Sequence, residues 1–89
     1  MADDEWTFVG LSLNAEMFGW DGVVDLSVSR WQSVDGDPVQ VREPRTGKLY
    51  HAHVYKLPVN THHAGGAVIT FATVEMTPGV YGFWLPTKP

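Results

Sequence analysis

Residues 65–85 read GGAVITFATVEMTPGVYGFWL and form the least charged and most β-prone part of the chain. Glu75 is the only charged residue among them. Apolar and β-branched residues dominate on both sides of Thr77-Pro78-Gly79, which has the composition of a tight turn. The stretch therefore predicts a hairpin of two strands, residues 66–76 and residues 80–85.

Four further segments show strand patterns: residues 5–13, 23–31, 39–43 and 48–57. Residues 23–31 alternate most regularly between apolar and polar side chains, which is typical of a strand with one buried and one solvated face. Pro38 and Pro44 flank residues 39–43, so this strand should lie at a sheet edge or terminus. Residues 14–19 hold at most one helical turn. We therefore expect an all-β fold without a substantial helix, a small antiparallel β-sandwich or barrel of about six strands.

The composition bounds the size and the surface of the protein. The 89 residues are 44% hydrophobic and 18% charged, contain no cysteine and carry a formal net charge of −4. This length predicts a single β domain over residues 1–89, with an acidic tail at residues 1–4 and a proline-rich tail at residues 86–89. Without cysteine, neither a disulfide nor a thiolate zinc site can stabilise the fold.

Charge and hydropathy also indicate which partners to expect. With only six Lys and Arg, the chain lacks the basic surface typical of nucleic-acid binding. No apolar run reaches the roughly 18 residues of a membrane-spanning helix. The N-terminus lacks the apolar core of a signal peptide. We expect no nucleic acid and no membrane as partners, and a protein that is cytoplasmic or part of an assembled particle.

Two short motifs carry a resemblance to known folds. They are Val34-Asp35-Gly36-Asp37-Pro38-Val39 and Thr77-Pro78-Gly79-Val80-Tyr81-Gly82-Phe83. The first resembles the loop that enters a strand, and the second the late Pro-Gly-x-Tyr strand, of immunoglobulin-like and prealbumin-like β-sandwiches. The resemblance implies a sandwich in which Tyr81 holds a corner, and it implies no particular activity. Such sandwiches continue with another strand, so here the sandwich is incomplete, the topology differs, or a partner supplies the missing edge.

Histidines are the strongest candidates for chemistry. His51 and His53 lie two residues apart on a predicted strand and therefore point to the same face. His62 and His63 lie in the predicted loop at residues 58–65. These four imidazoles could bind a divalent transition metal within one chain, or His51 and His53 from three chains could do so at an oligomer axis. The alternative, which we favour, is a solvated or interfacial strand face with no cofactor.

Nucleophilic catalysis has no sequence motif to support it. The chain has no cysteine and no Gly-x-Ser-x-Gly sequence, which is the strained turn that presents a catalytic serine in many hydrolases. Its aspartates fall in predicted turns or on predicted solvated faces, without a paired acid and base. We therefore expect a non-catalytic protein.

The hairpin is apolar on both faces, which indicates that each face is buried against other residues. We predict that Val68, Val74, Tyr81 and Phe83 face the core. In so small a domain the other face should contact another chain. The predicted interface residues are Trp6, Trp31, Ile69, Phe71 and Trp84.

These features predict a module for protein–protein interaction or structural assembly that acts through an apolar β face. A homo-oligomer or a larger assembly, such as a phage or bacterial virion, tail or surface component, would provide the second cover. One alternative is a histidine-based metal-binding module. Another is a small ligand-binding, glycan-binding or inhibitor domain that uses exposed Trp and Tyr side chains.

Overall fold

The computed structural model describes residues 5–18, 26–58 and 68–87. Within them lie six strands, β1 (Trp6–Gly10), β2 (Gln32–Ser33), β3 (Val39–Arg42), β4 (Leu49–Pro58), β5 (Val68–Thr77) and β6 (Val80–Pro86). All strand pairs are antiparallel. The all-β, antiparallel class predicted from the sequence is confirmed.

The strands form one open sheet rather than two layers or a closed barrel. Its order is β1-β6-β5-β4-β2, and β3 pairs with the first half of β4. Val39 lies opposite Ala52, whereas Ser33 lies opposite Tyr55. The predicted strand at residues 39–43 is therefore present and, as its flanking prolines indicated, has β4 as its pairing partner among the described strands.

The β5–β6 hairpin forms where the sequence predicted it. Pro78 and Gly79 make the turn, and Gly79 has a φ of +80°, a left-handed conformation that glycine adopts without a steric penalty. The Gly79 amide donates a hydrogen bond of 2.9 Å to the carboxylate of Glu75. A bulge between Glu75 and Thr77 shifts the pairing register by one residue.

The predicted strand at residues 23–31 is wrong where the structure describes it. Val28–Arg30 form a short 3-10 helix, whose bonds run from Arg30 N to Ser27 O and from Trp31 N to Val28 O, both 3.0 Å. The backbone is thus satisfied locally, and Leu26 and Trp31 both pack onto the sheet. The three-residue turn of this helix breaks the alternation, and Val28, which the pattern would bury, is 68% exposed. Residues 23–25 lie outside the described part of the chain.

Apolar side chains cover both faces of the central strands. We call one cluster the Phe71 core: Leu57, Ile69, Phe71 and Phe83. The other, on the opposite face, is the Trp84 core: Val41, Ala52, Ala72 and Trp84. Partly buried residues of β1, β3, β4 and β5 pack on the second. Those that pack on the first are Val9, Leu13, Phe18, Leu26, Trp31, Tyr55 and Leu85. Residues of the same chain therefore pack on both faces of the hairpin. The apolar composition of these faces is explained without contact with a second chain.

The side chain of Trp84, on β6, contacts both β1 and the end of β3. Its indole Nε1–H donates a 3.0 Å hydrogen bond to the carbonyl of Arg42, at the end of β3. Its ring meets Phe8 of β1 edge-on at a centroid distance of 5.0 Å. A Cβ on Gly82 would meet Met76 Sδ and lie 2.9 Å from a Trp84 ring carbon. The missing side chain at residue 82 therefore makes room for the indole.

The first and last strands, β1 and β6, pair with each other. Pro86, predicted to begin a tail, is instead the last residue of β6 and lies opposite Trp6. The amide of Thr87 donates a 2.8 Å hydrogen bond to the carbonyl of Glu5. The hydroxyl groups of Thr7 and Thr87 are 2.6 Å apart. The predicted tail residues 1–4, 88 and 89 lie outside the described residues.

A buried carboxylate closes the turn between β3 and β4. Glu43 is 1% exposed. Arg45 Nε donates to one of its oxygens, and the amide and hydroxyl of Thr46 donate to the other, all at 2.8 Å. The Arg45 hydrogen bond is the main cause that lowers the pKa of Glu43 from 4.5 to about 2, and the Thr46 bonds add to it against the opposing effect of burial.

We predict that Glu43 contributes to stability in a pH-dependent way. Because its folded pKa is below its unfolded pKa, its contribution is complete above pH 4.5 and disappears as the pH falls through about 2. Glu43→Gln should lower the melting temperature at pH 7, and its deficit should shrink steadily between pH 5 and pH 2. Thermal unfolding followed by circular dichroism measures both. Glu16→Gln, at an exposed position, is the control. A loss of melting temperature for Glu43→Gln that stays constant with pH would contradict the prediction.

Candidate functional site

An open groove of about 720 Å³ lies on the face of the sheet that carries the Phe71 core. Its floor is the row His53, Thr73 and Phe83, which lie side by side on β4, β5 and β6. The next row toward the covered end holds Tyr55 opposite Phe71. The groove begins where the cover of the Phe71 core ends.

The groove walls are apolar and rich in aromatic rings. The aliphatic walls are Leu11, Leu13, Leu26, Val28 and Val80, and the rings are Trp31, Tyr55, Tyr81 and Phe83. The polar residues that line it are Ser12, His53 and Thr73. No carboxylate, lysine or arginine is among the described lining residues, so the groove suits an uncharged group.

Local packing explains why the sheet face stays open here. Trp31 packs edge-on against Phe71 at 4.9 Å and against Phe83 at 5.9 Å. Its indole N–H donates a 3.1 Å hydrogen bond to the carbonyl of Leu26. This bond fixes the segment from Leu26 to Trp31 over one half of the sheet face. The half that carries His53 and Tyr81 is left as the groove.

Exposed apolar side chains concentrate around this groove. Of the large hydrophobic residues that the described chain exposes, Leu11, Val28, Val80 and Tyr81 line it, and Val34, Leu49 and Val68 do not. Val28 is 68% exposed and Leu11 51%. Single exposed apolar residues are normal on a protein surface, whereas a contiguous group of them is typical of a contact site.

The polar groups of the groove are in two different states. The Thr73 hydroxyl donates a 2.8 Å hydrogen bond to the carbonyl of Gly82 and is satisfied. The His53 imidazole is exposed, and no hydrogen-bond partner for it lies within residues 5–18, 26–58 and 68–87. His53 is therefore the polar group of the floor that an occupant can reach.

The structure corrects the predicted interface. Ile69 is 6% exposed, and Phe71 and Trp84 are fully buried inside the chain. Trp31 is half-buried against Phe71, and Trp6 is half-buried against the Trp84 core. Ile69, Phe71 and Trp84 are core residues because intervening segments of the same chain cover both faces of the hairpin.

The predicted core face needs the opposite correction. Val68 and Tyr81, predicted to face the core, are 57% and 47% exposed. Phe83 is buried as predicted, and Val74 packs against the Trp84 core on the other side of the sheet. Tyr81, for which the resemblance to β-sandwiches implies a corner, lines the groove instead.

Of the four predicted metal ligands, the structure places two. His51 and His53 are both exposed on β4, two residues apart and thus on one face. His62 and His63, like most of the predicted loop at residues 58–65, lie outside the described residues. The described residues contain no group of three or more His, Asp or Glu side chains that could hold a metal ion. Metal binding by the four histidines stays a prediction.

Sequence reasoning missed Leu11, Val28 and Val80 as site residues. Val28 was expected on the buried face of a strand, and Leu11 on the inner face of the first strand. Val80 was counted only as the start of β6. Leu11 follows the end of β1 and Val80 begins β6, where the alternation of faces is no longer enforced, and Val28 begins a 3-10 helix, which does not follow strand alternation.

Comparison with protein-family models, with curated proteins and with solved structures finds no match to this chain. Among the described residues, no helix has the length and apolar character needed to cross a membrane. The candidate site therefore depends on the geometry of the groove alone.

The corrected faces of β5 can be tested with two substitutions of one kind. We predict that Ile69→Thr costs more than about 2 kcal/mol of unfolding free energy, because it leaves a space and buries a hydroxyl in the Phe71 core. Val68→Thr, at an exposed neighbour, should change it by less than about 0.5 kcal/mol. Urea unfolding measures both. An equal loss of unfolding free energy for both variants, or a larger loss for Val68→Thr, would instead support the assignment of Val68 to the core face that the sequence suggested.

Proposed function

We propose that this protein is a non-catalytic binding module that holds an apolar segment of a partner protein in the groove. The observation that carries the proposal is the gathering of Leu11, Val28, Val80 and Tyr81 around one uncharged groove. The proposal retains the expected function, which is protein–protein contact through an apolar β face. Its location moves from the buried hairpin face to the groove.

The energetics favour contact as the use of such a surface. Burial of apolar area yields about 25 cal/mol per Å². Interface energy is usually concentrated in a few side chains that fill a pocket and exclude water. The groove volume of about 720 Å³ lies in the usual range for binding clefts, about 300–1,000 Å³. A short segment with one or two large side chains would fill it.

The composition of the groove favours a protein segment over a sugar. A glycan site would interleave rings with amide or carboxylate side chains that bond sugar hydroxyls. The described lining has rings and aliphatic walls, with Ser12, His53 and Thr73 as its polar residues. An apolar peptide segment matches this chemistry better.

A homo-oligomer or larger assembly is one setting in which such a segment would be presented, and a virion or surface component is an example. Sedimentation over a wide concentration range separates self-association from binding of another protein. A mass that stays that of one chain at all concentrations would assign the segment to a different protein.

We predict that linear peptides with large apolar residues bind the groove. A displayed random-peptide library is panned on the whole chain, and the enriched peptides are titrated by fluorescence anisotropy. Val28→Ser and Tyr81→Ser should each weaken binding at least about tenfold, as expected for side chains central to a contact. Both positions are exposed, so unfolding temperatures should change little.

Leu49→Ser is the matched control, because Leu49 is an exposed large apolar residue that does not line the groove. It should change affinity by less than about twofold, in line with near-neutral peripheral positions. Failure to enrich any peptide would contradict the proposal. So would peptides that lose affinity equally with Leu49→Ser.

A further inference from the structure

The groove has aromatic walls that differ in their ring contacts. Trp31 lies 5.5 Å from Tyr55 and packs edge-on against Phe71 and Phe83. Tyr55 in turn stacks on Phe71 at 5.8 Å with an interplanar angle of 26°. Trp31 is half-buried, so it remains accessible at the groove while its contacts with these rings fix its position.

The ring of Tyr81, which also lines the groove, has no such neighbours among the described residues. It is 47% exposed and lies opposite Glu75 in the strand register, one row beyond the floor residue Thr73. Within the part of the chain that the structure describes, no ring contact and no side-chain hydrogen bond involves Tyr81. The neighbouring Gly79 has no side chain, which leaves the space beside the ring open.

We propose that the segment bound in the groove is anchored by an aromatic side chain that contacts the ring of Tyr81 and the aromatic lining around Trp31. This inference rests on the proposed function and specifies the partner. Aromatic rings attract one another edge-to-face or offset-stacked at centroid distances of about 4.5–7 Å, beyond the effect of area burial. An aliphatic anchor would gain the area but not this additional attraction.

Two further features agree with an aromatic anchor. The groove has no charged side chain among its described lining residues, so the anchor need not be charged. His53, on the floor, is exposed and offers a hydrogen-bonding imidazole to an indole N–H or a phenol hydroxyl. Phe, Tyr and Trp all supply an uncharged aromatic ring. Tyr and Trp can also donate a hydrogen bond to the His53 imidazole.

The test compares blocked single amino acids as probes. N-acetyl-tryptophanamide, N-acetyl-phenylalaninamide and N-acetyl-leucinamide are titrated into the ¹⁵N-labelled whole chain, and amide shifts give the dissociation constants. The two aromatic amides should bind about two- to tenfold more tightly than the leucine amide, which corresponds to the usual gain from an aromatic pair. Shifts should be largest at groove residues.

Tyr81→Leu and Tyr81→Phe form the variant pair. Tyr81→Leu keeps an apolar wall without the ring, so leucinamide binding should persist and the aromatic preference should fall to less than about twofold. Tyr81→Phe keeps the ring and should preserve the preference. A preference that survives Tyr81→Leu unchanged would overturn the inference.

The outcomes separate the two proposals. If the leucine amide binds the groove as tightly as the aromatic amides, the aromatic anchor is excluded and the groove remains a contact site. If no probe shifts groove residues, both proposals fail. Free indole is included as a last probe, and tighter binding of indole than of N-acetyl-tryptophanamide would assign the site to a small aromatic molecule instead of a protein segment.

Discussion

The buried indole of Trp84 is the contact on which the rest of the sheet depends. It joins β6 to β3 through the bond to the Arg42 carbonyl and to β1 through the ring of Phe8. Side chains of β1 and β3 thereby cover one face of the central hairpin. A small domain has few residues with which to cover two apolar faces. Because β1 and β3 cover the Trp84 side, the opposite face is left to the segments that contain Leu13, Phe18, Leu26 and Trp31.

Among the described residues that second cover does not extend over the whole face, and the groove lies where it ends. Trp31 reaches Phe71 and Phe83, and its bond to Leu26 holds the covering segment at one end of the face. The row His53, Thr73 and Phe83 forms the floor of what remains open. Exposure of apolar side chains at this rim costs free energy in water, and contact with a partner would recover it. A small domain has few residues with which to cover both faces of its sheet, and this limit explains both the arrangement of the core and the presence of the groove.

The sequence predicted some elements well and others poorly, for physical reasons that differ. The hairpin, β3 and β4 were located to within about two residues because turn chemistry and strand alternation are local properties. The segment from Leu26 to Trp31 was mistaken for a strand because alternation is a local pattern, whereas the 3-10 helix at Val28–Arg30 leaves Val28 exposed. Of the candidate site, Trp31 and Tyr81 were noticed and His53 was named, but their common location in one groove was not foreseen.

By itself, the sequence determined the all-β class, the antiparallel hairpin at its centre and the two apolar faces of that hairpin. Only the tertiary structure decided what covers those faces. Ile69, Phe71 and Trp84 are buried, and Tyr81 and Val28 exposed, because segments distant in sequence fold over one part of the sheet and not another. Such coverage depends on contacts between residues far apart in the chain, which local patterns of polarity do not encode.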